Sequence, residues 1–452
     1  MKELICRKCL SITESQNQPR ARSLFRQNLL KTGLSIYVSV VIVTGIAWAQ
    51  AGQLDTTFAT KGIFLLNSIG SQGGSTKVAL QTNGKTVFAA PSGDPQQSNN
   101  GIALVRLNTD GKPDSSFGTG GVVVFGIERT VPTSVVIQPD GKILVGSNAA
   151  QSADGPASFG LARFNPNGSV DNSFGTGGQV FGLEVFGDAL ALQPDGKILV
   201  TGSNTLVRFD SNGQLDTTFG TSGLSTLPFF STAAIALQSN GKIMNASAPN
   251  FNPGGGSGGT IVRFNPNGAL DKTFGLFGQV ASVASGGVFD TSGTALVSSI
   301  AFQPDGKFIV GGTIASKLIN PPGSIQTGFG LVRYNPNGSI DTSFGNHGGV
   351  LTTFGSNLNA TAFALAIQSN GDIIAAGQAG SSLALSRYSS AGTLDTTFGS
   401  GGTATTSLGS NPSSISSLAL QSDGKIVAAG AIFSVDNAGF HAQAVVARYL
   451  AQ

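Results

Sequence analysis

The chain has 452 residues, of which 40% are hydrophobic, 11% are charged and 64 are glycine. The hydrophobic content excludes a chain that is disordered throughout, and the low charge with abundant glycine predicts many short strands and tight turns. The net charge of +3 is unevenly distributed: residues 1–49 carry seven Lys/Arg and two Glu, whereas the other 403 residues carry 19 basic and 21 acidic side chains. The main part of the chain is therefore near neutral, which excludes the basic footprint of a nucleic-acid-binding protein.

The first 49 residues have the pattern of an export signal. An uncharged apolar stretch, residues 34–47, follows Lys31 and leads into Ala47-Trp48-Ala49, an A-x-A cleavage pattern. The stretch is shorter than the roughly 20 apolar residues that a spanning helix needs. We predict a signal peptide over residues 1–49 and a mature chain over residues 50–452, secreted or in the cell envelope and free of the membrane. Because the basic segment is unusually long, a signal-anchor that tethers the domain outside the membrane is the alternative.

The only two cysteines, Cys6 and Cys9, lie in this leader. A structural zinc site would need two more ligands nearby, and the leader offers none at the usual spacing. The mature chain has no thiol, so it cannot form disulfides and must be stabilised by packing. We expect no bound metal and no other cofactor.

Three short signatures recur seven times in a fixed order after the leader, which indicates a tandem-repeat protein. The first is (L/V/I)-D-x-x-F, with Pro113 replacing the aliphatic residue once, and it ends at Phe58, Phe117, Phe174, Phe219, Phe274, Phe344 and Phe398. The second is Q-x-x-G-K, with Asp372 replacing the lysine once, and it begins at Gln81, Gln138, Gln193, Gln238, Gln303, Gln368 and Gln421. The third is an arginine before a large apolar residue. The repeats start near residues 54, 113, 170, 215, 270, 340 and 394.

Each repeat is predicted to form about four strands joined by tight turns. In residues 189–202, Pro194, Asp195 and Gly196 provide a turn between two apolar runs. The run after the turn is continuously apolar, as expected for a strand that is covered on both faces of its sheet. Four-stranded units of about 57 residues fit the blades of a propeller, whereas β-helix coils are shorter and sandwiches need about 100 residues. We therefore predict an all-β fold, a seven-bladed β-propeller.

The spacing of arginine and aspartate predicts how the ring closes. In six copies the aspartate follows the arginine by eight residues, across a hairpin, so that the two should form a cross-strand ion pair. These pairs are Arg106/Asp114, Arg163/Asp171, Arg208/Asp216, Arg263/Asp271, Arg333/Asp341 and Arg387/Asp395. Asp55 has no arginine before it, and Arg448 has no aspartate after it. We predict that these two pair with each other and close the ring, which a linear array would not do.

The repeated motifs resemble those of a known family. Leu-Asp-Thr-Thr-Phe-Gly, Gln-Pro-Asp-Gly-Lys-Ile-Leu-Val and Ala-Arg-Phe-Asn-Pro-Asn-Gly are similar to the delta-60 repeat family of bacterial β-propellers, over residues 53–450. The resemblance implies a propeller fold and export to the cell surface or beyond. It implies no reaction and no catalytic residues.

The same repetition separates structural residues from candidate functional ones. A side chain present in every blade serves the fold, so we assign the repeated Arg and Asp to structure and expect the repeated Phe to pack between blades. We expect the turn lysine to be a solvated charge on a hairpin tip. Function is expected in the loops that differ between copies. These are Pro91–Asn100, Ser147–Ser158, Ser247–Thr260, Thr313–Thr327 and Phe433–Gln443.

These loops contain few groups that do chemistry. The two histidines, His347 and His441, fall in different repeats, and no nucleophile, metal-ligand or phosphate-loop motif is present. We therefore predict no catalytic, cofactor-binding or metal-binding residues. We expect a monomeric binding or scaffold module for an extracellular protein or glycan. The alternative is a propeller hydrolase or lyase with its site in the central channel.

Overall fold

The structure is a computed structural model. It describes residues 50–70, 75–93, 101–126, 130–150, 157–183, 189–202, 204–228, 232–247, 259–281, 295–317, 325–355, 358–436 and 439–451. The predicted signal peptide, residues 1–49 with its cysteines, lies outside the described residues. Nothing in the described ranges forms a helix long and apolar enough to cross a membrane.

The described residues form 28 strands. In chain order they are β1 (Ile63–Gly70), β2 (Lys77–Leu80), β3 (Thr86–Ser92), β4 (Gly101–Leu107), β5 (Val122–Phe125), β6 (Thr130–Ile137), β7 (Ile143–Ala150), β8 (Ala157–Phe164), β9 (Gln179–Leu183), β10 (Ala189–Leu192), β11 (Ile198–Gly202), β12 (Thr205–Phe209), β13 (Leu224–Thr226) and β14 (Thr232–Leu237). The second half consists of β15 (Ile243–Ser247), β16 (Thr260–Phe264), β17 (Gln279–Ala281), β18 (Ala295–Phe302), β19 (Phe308–Lys317), β20 (Ile325–Tyr334), β21 (Gly349–Thr352), β22 (Ala360–Ile367), β23 (Ile373–Ala379), β24 (Ser382–Tyr388), β25 (Thr403–Thr406), β26 (Ser413–Leu420), β27 (Ile426–Asp436) and β28 (Gly439–Tyr449).

The strands assemble into seven four-stranded antiparallel blades. Blades 1 to 6 each use four consecutive strands, from β2–β5 to β22–β25. The first strand of each blade contacts the first strand of the next, and β26 of blade 7 contacts β2 of blade 1. These seven first strands therefore form the inner edge of a closed ring. The predicted seven-bladed β-propeller is confirmed.

Blade 7 is built from both ends of the described chain. Its strand order is β1-β28-β27-β26, so the earliest strand of the chain is the outermost strand of the last blade. β1 runs antiparallel to β28, with Ile63 opposite Ala447, and Leu54 bridges to Tyr449. This pairing removes the edge that an open array of sheets would expose. The predicted closure by pairing of the N- and C-terminal segments is confirmed.

The middle strands are buried because each blade is covered on both faces by its neighbours. All seven residues of β4, for example, are buried. Apolar clusters cross from blade to blade, and one of them joins Phe88 and Val105 of blade 1 to Val427 and Val446 of blade 7. The continuously apolar runs of the sequence therefore fill the space between blades.

The antiparallel order gives the ring two different ends. Each first strand leads into the Q-x-x-G-K turn, and each third strand leads into the hairpin that carries the repeated Asp. We call the end of the ring that holds these turns, residues 81–85 and 108–114 in blade 1, the repeat end. The connections between second and third strands, and those between blades, lie at the opposite end, which we call the variable end (residues 92–101 and 126–130 in blade 1). The five variable loops named above all join second and third strands, and much of each lies outside the described residues except in the last, Phe433–Gln443, where only residues 437–438 do.

Candidate functional site

The repeat end carries seven arginine–aspartate pairs. The structure brings together all of the pairs expected from the sequence, each with arginine Nε donating to aspartate Oδ2. The distances are 2.7 Å for Arg106–Asp114, 2.7 Å for Arg163–Asp171, 2.9 Å for Arg208–Asp216, 2.7 Å for Arg263–Asp271, 2.8 Å for Arg333–Asp341, 2.6 Å for Arg387–Asp395 and 2.9 Å for Arg448–Asp55. Arg448 and Asp55 thus occupy the same geometry as the six pairs within hairpins.

Each pair belongs to a larger hydrogen-bonded unit, which blade 2 illustrates. The second carboxylate oxygen of Asp171 accepts from the hydroxyl and the backbone N–H of Ser173, at 2.6 and 3.2 Å. Arg163 donates from Nη2 to the same hydroxyl, and its guanidinium lies 4.5 Å from the centre of the Phe174 ring. The carboxylate and the guanidinium are both buried and both engaged, as a buried ion pair requires.

The arginine also connects its blade to the next one, which the sequence analysis did not predict. Arg208 of blade 3 donates from Nη1 to the carbonyl of Pro266 in blade 4, at 2.7 Å. The same contact crosses the closure, where Arg448 of blade 7 donates to the carbonyl of Thr109 in blade 1 at 2.5 Å. The sequence offers one indication of this contact, which is the arginine itself. Its guanidinium has five N–H donors, more than one carboxylate accepts, so a further acceptor is to be expected. The arginine therefore stabilises the hairpin and the interface between blades at once.

The turn lysine is a third member of this unit, and the expectation that it is a solvated charge is wrong. In six repeats its ammonium nitrogen reaches Oδ2 of the repeated Asp, and its side chain is only 26–33% exposed. The pairs are Lys85–Asp114 at 2.6 Å, Lys142–Asp171 at 3.0 Å, Lys197–Asp216 at 3.2 Å, Lys242–Asp271 at 2.6 Å, Lys307–Asp341 at 2.8 Å and Lys425–Asp55 at 3.2 Å. The hairpin folds back over the Asp, so that the buried carboxylate contacts two cations.

The sixth repeat departs from this pattern, since Asp372 stands where the other repeats have lysine. Its repeated aspartate, Asp395, keeps its arginine but has no lysine, and its side chain is 23% exposed, against 4–9% for the other six. The lysine stem therefore covers the carboxylate as well as pairing with it.

The unit lowers the pKa of each repeated aspartate. Burial alone would raise the pKa of Asp55, but hydrogen bonds from Thr57 and Lys425 and the charge of Arg448 outweigh burial and lower it to about 2. Hydrogen bonds from Thr218 and Lys197 likewise hold the pKa of Asp216 well below its usual range. These aspartates are ionised in the folded protein and have no proton to offer as acids. Their oxygens are occupied by the protein's own donors, and we therefore interpret the unit as structural.

The two histidines lie at opposite ends of the ring. His347 is exposed in the repeat-end turn before β21, at a φ of +51°. His441 is buried in β28 near the variable end, where its Nε2 lies 2.8 Å from Oδ1 of Asp436. Among the described residues no group of three or more His, Cys, Asp or Glu could hold a metal ion.

Two adjacent pairs of exposed apolar side chains lie at the two ends of the ring. The β27–β28 hairpin at the variable end presents Val435, 76% exposed, opposite Phe440, 43% exposed, and the Phe440 ring lies 5.7 Å from that of Phe433. At the repeat end, Leu276 and Phe277 are 70% and 74% exposed. The sister turns at the repeat end carry small or polar residues at both positions, so Leu276 and Phe277 break the symmetry of that end.

Lys77 breaks the symmetry of the inner edge. It is the first residue of β2, at the variable end of that strand, and it is half-buried. It is the only charged residue in the seven first strands as the structure describes them. Burial lowers the pKa of its ammonium group.

Six segments of the chain match a family described as a domain of unknown function (DUF5122) beta-propeller. They are residues 81–117, 138–174, 193–219, 238–274, 303–344 and 368–398. Each segment runs from the glutamine of Q-x-x-G-K to the phenylalanine of D-x-x-F. The seventh copy begins at Gln421 and ends at Phe58, so it is divided by the closure and cannot match as one stretch. Six of the seven repeats are therefore similar to the propeller repeat that this family describes.

Solved structures with similar folds have low sequence identity to the chain. A protein of unknown function from Bacteroides caccae is 15% identical, with a TM-score of 0.37, and the match covers 59% of this chain and 80% of that one. The GH93 alpha-L-arabinofuranosidase of Fusarium graminearum is 11% identical, with a TM-score of 0.44, covering 86% and 98%. The alpha-L-arabinanase of Penicillium chrysogenum is 11% identical, with a TM-score of 0.41, covering 85% and 98%. No functional inference follows from scores this low. No curated protein matches the chain.

Proposed function

We propose that this protein is an exported, non-catalytic β-propeller of the delta-60 repeat family that binds an extracellular partner through the variable end of its ring. The observation that carries the proposal is the segregation of sequence variation. The repeat end presents nearly the same turns seven times, whereas the long insertions lie at the other end, where they join second and third strands or, at residues 282–294, two neighbouring blades. Loops held on a rigid scaffold are the usual place for recognition in repeat proteins.

The β27–β28 hairpin provides a described part of this surface. Both of its strands have 11 residues, and the hairpin extends beyond the last pairing between β26 and β27, at Ser413 and Ile432. Val435 and Phe440 lie opposite each other on one face of the extension, and both are exposed. Apolar side chains that cluster on a surface favour contact with another molecule. We propose that this face is part of the partner-binding surface.

A capture experiment with matched variants tests the proposed function. The protein is used as bait for envelope extracts of the producing organism, in parallel with V435S/F440S and with L276T/F277G. The second variant removes an exposed apolar pair at the repeat end and replaces it with residues that sister repeats use. We expect a retained partner to be lost with V435S/F440S and kept with L276T/F277G. Equal retention by all three proteins, or loss only with the repeat-end variant, would contradict binding through the hairpin.

Export is tested separately. Cell fractionation and N-terminal sequencing of the natural protein should find it outside the cytoplasmic membrane, with Gln50 as its first residue. A chain that is outside the membrane but still begins with the basic segment would support the signal-anchor. A chain confined to the cytoplasm would contradict export in either form.

A further inference from the structure

One position on the inner edge of the ring, four residues before the glutamine of Q-x-x-G-K, makes the same contact in three of the blades. Ser417 of blade 7 accepts a hydrogen bond at its Oγ from the N–H of Val78 in blade 1, at 3.2 Å. In the same way Ser134 accepts from the N–H of Leu190, at 3.1 Å, and Ser299 accepts from the N–H of Leu365, at 3.3 Å. At this position the side chain therefore faces the first strand of the following blade.

Lys77 occupies the same position in blade 1. The repeat register places Ser134, Ala189, Ala234, Ser299, Ala364 and Ser417 at the equivalent positions. The neighbouring residues of β2 support this orientation, because Thr76 donates to the carbonyl of Gly430 in blade 7 and Val78 packs in the cluster shared with that blade. Side chains alternate along a strand, so Lys77 faces blade 2.

The lysine changes the chemistry of this position. In the three blades with serine, the hydroxyl accepts from a backbone N–H of the following blade, and the equivalent N–H next to Lys77 is that of Val135. Lysine cannot accept this hydrogen bond, because its ammonium group only donates. Among the described residues no carboxylate lies within 4 Å of the Lys77 ammonium nitrogen, and no hydrogen bond from it is formed. The other six positions between adjacent first strands hold alanine or serine, so we expect the four-carbon side chain of Lys77 to extend toward the channel at the variable end. By analogy with the three serine contacts, the stem of Lys77 lies next to the N–H of Val135, so a cation and a backbone donor are expected in the same region.

We propose that Lys77 is the anion-binding residue of the central channel, and that its ammonium group binds a carboxylate or phosphate group of a ligand entering from the variable end. A positive charge withdrawn from water is costly unless an opposite charge accompanies it. An oxyanion would supply that charge and would accept from the N–H of Val135 as well. The site lies in the channel and is independent of the β27–β28 hairpin.

Serine at position 77 makes a matched variant, since three blades of the same chain use serine there. Inorganic phosphate and acetate are titrated into the protein and into K77S by calorimetry, at constant ionic strength set with sodium chloride. We expect saturable binding of one anion per chain, weakened at least about tenfold in K77S. The K272S variant removes an exposed lysine at the repeat end and should bind as the unchanged protein does. The preferred anion distinguishes a phosphate ligand from a carboxylate ligand.

Thermal unfolding provides a second readout, because a ligand that binds only the folded state raises the melting temperature. Phosphate or acetate should raise the melting temperature of the unchanged protein and of K272S above that in sodium chloride, and should leave K77S unaffected. K77M tests the charge if K77S is unstable. The absence of saturable binding of either anion to the unchanged protein would overturn the proposal. Binding of the same strength in K77S and K77M would also overturn it.

Discussion

Arg448 donates a hydrogen bond from Nε to Oδ2 of Asp55 over 2.9 Å, although 393 positions separate the two residues in the chain. In the other six copies the same contact spans eight positions within a hairpin. The closing pair also has a lysine, since Lys425 lies 3.2 Å from Asp55. The joint between the two ends of the described chain is therefore chemically the same as five of the six continuous hairpins, and the sixth lacks only the lysine. Removing this pair should open the ring locally, whereas removing an equivalent pair elsewhere leaves the covalent connection in place.

The first prediction compares D55A with D216A. Each variant leaves a buried arginine without its carboxylate and should lose about 3–5 kcal/mol of unfolding free energy. The difference is expected in hydrogen exchange, because only in D55A does the lost contact join the segment that precedes β1 to β28. We expect the amides of β1 to exchange much faster in D55A and to be unchanged in D216A. Equal protection of β1 in both variants would show that strand pairing alone closes the ring.

The blade number and the closure can be predicted because the repeats keep charged residues at fixed spacing. A charged side chain in an apolar setting needs a partner of opposite charge. Asp55 and Arg448 are the two repeated residues without a partner in their own hairpin, so the sequence alone indicates that they pair with each other. The spacing also predicts the cross-strand geometry of the other pairs. It does not show what lies across the gap between blades, because contacts such as Arg208 to the carbonyl of Pro266 depend on how the sheets pack.

The role of the turn lysine cannot be predicted for a similar reason. A lysine after Asp-Gly at a hairpin tip has the pattern of a solvated residue, and nothing in the local sequence shows that the hairpin folds back over Asp171 or Asp216. The position of Lys77 is equally hidden, because its local sequence is that of an ordinary strand. Only the closed ring shows that this position lies on the inner edge, next to β6.

The second prediction concerns the missing lysine of repeat 6. D372K should restore the pair with Asp395 and cover its carboxylate, which is 23% exposed in its present form. The pair is partly solvated, so we expect a gain of about 0.5–1 kcal/mol in the free energy of unfolding, measured by urea denaturation. D372N removes the negative charge without supplying a cation and serves as the control. A gain of equal size in D372N would assign the effect to lost repulsion rather than to the restored pair.

The third prediction concerns acid. The pKa of Asp55 is about 2 in the folded protein, below the ordinary value of 3.8 that the side chain has in an unfolded chain. The unfolded state therefore binds more protons between these values, and stability must fall as the pH falls. The contribution of Asp55 is complete above about pH 4 and is lost as the pH approaches 2. The other repeated aspartates also have lowered pKa values.

Urea midpoints measured from pH 6 to pH 2 test this prediction. We expect little change down to about pH 5 and a steep decline below pH 4. D55N should be less stable at pH 6 but should decline less between pH 4 and pH 2, because one titrating group is absent. A decline that begins near pH 6 would show that groups other than the aspartates control acid stability.

The fourth prediction concerns Phe277, which holds a left-handed backbone at a φ of +54° with its ring 74% exposed. Glycine occupies the same position in three sister turns, as Gly120, Gly177 and Gly401, at φ values of +60° to +62°. A left-handed backbone costs a residue with a Cβ about 1–2 kcal/mol of stability, and glycine avoids this cost. Glycine also gives the unfolded chain more conformational freedom, which offsets part of the gain. We expect F277G to raise the free energy of unfolding by about 0.5–1 kcal/mol in urea, because the exposed ring contributes little packing. L276T, at the neighbouring position, changes exposure without relieving backbone strain and should leave the free energy unchanged. If F277G is destabilising, the ring must make contacts that its exposure does not suggest.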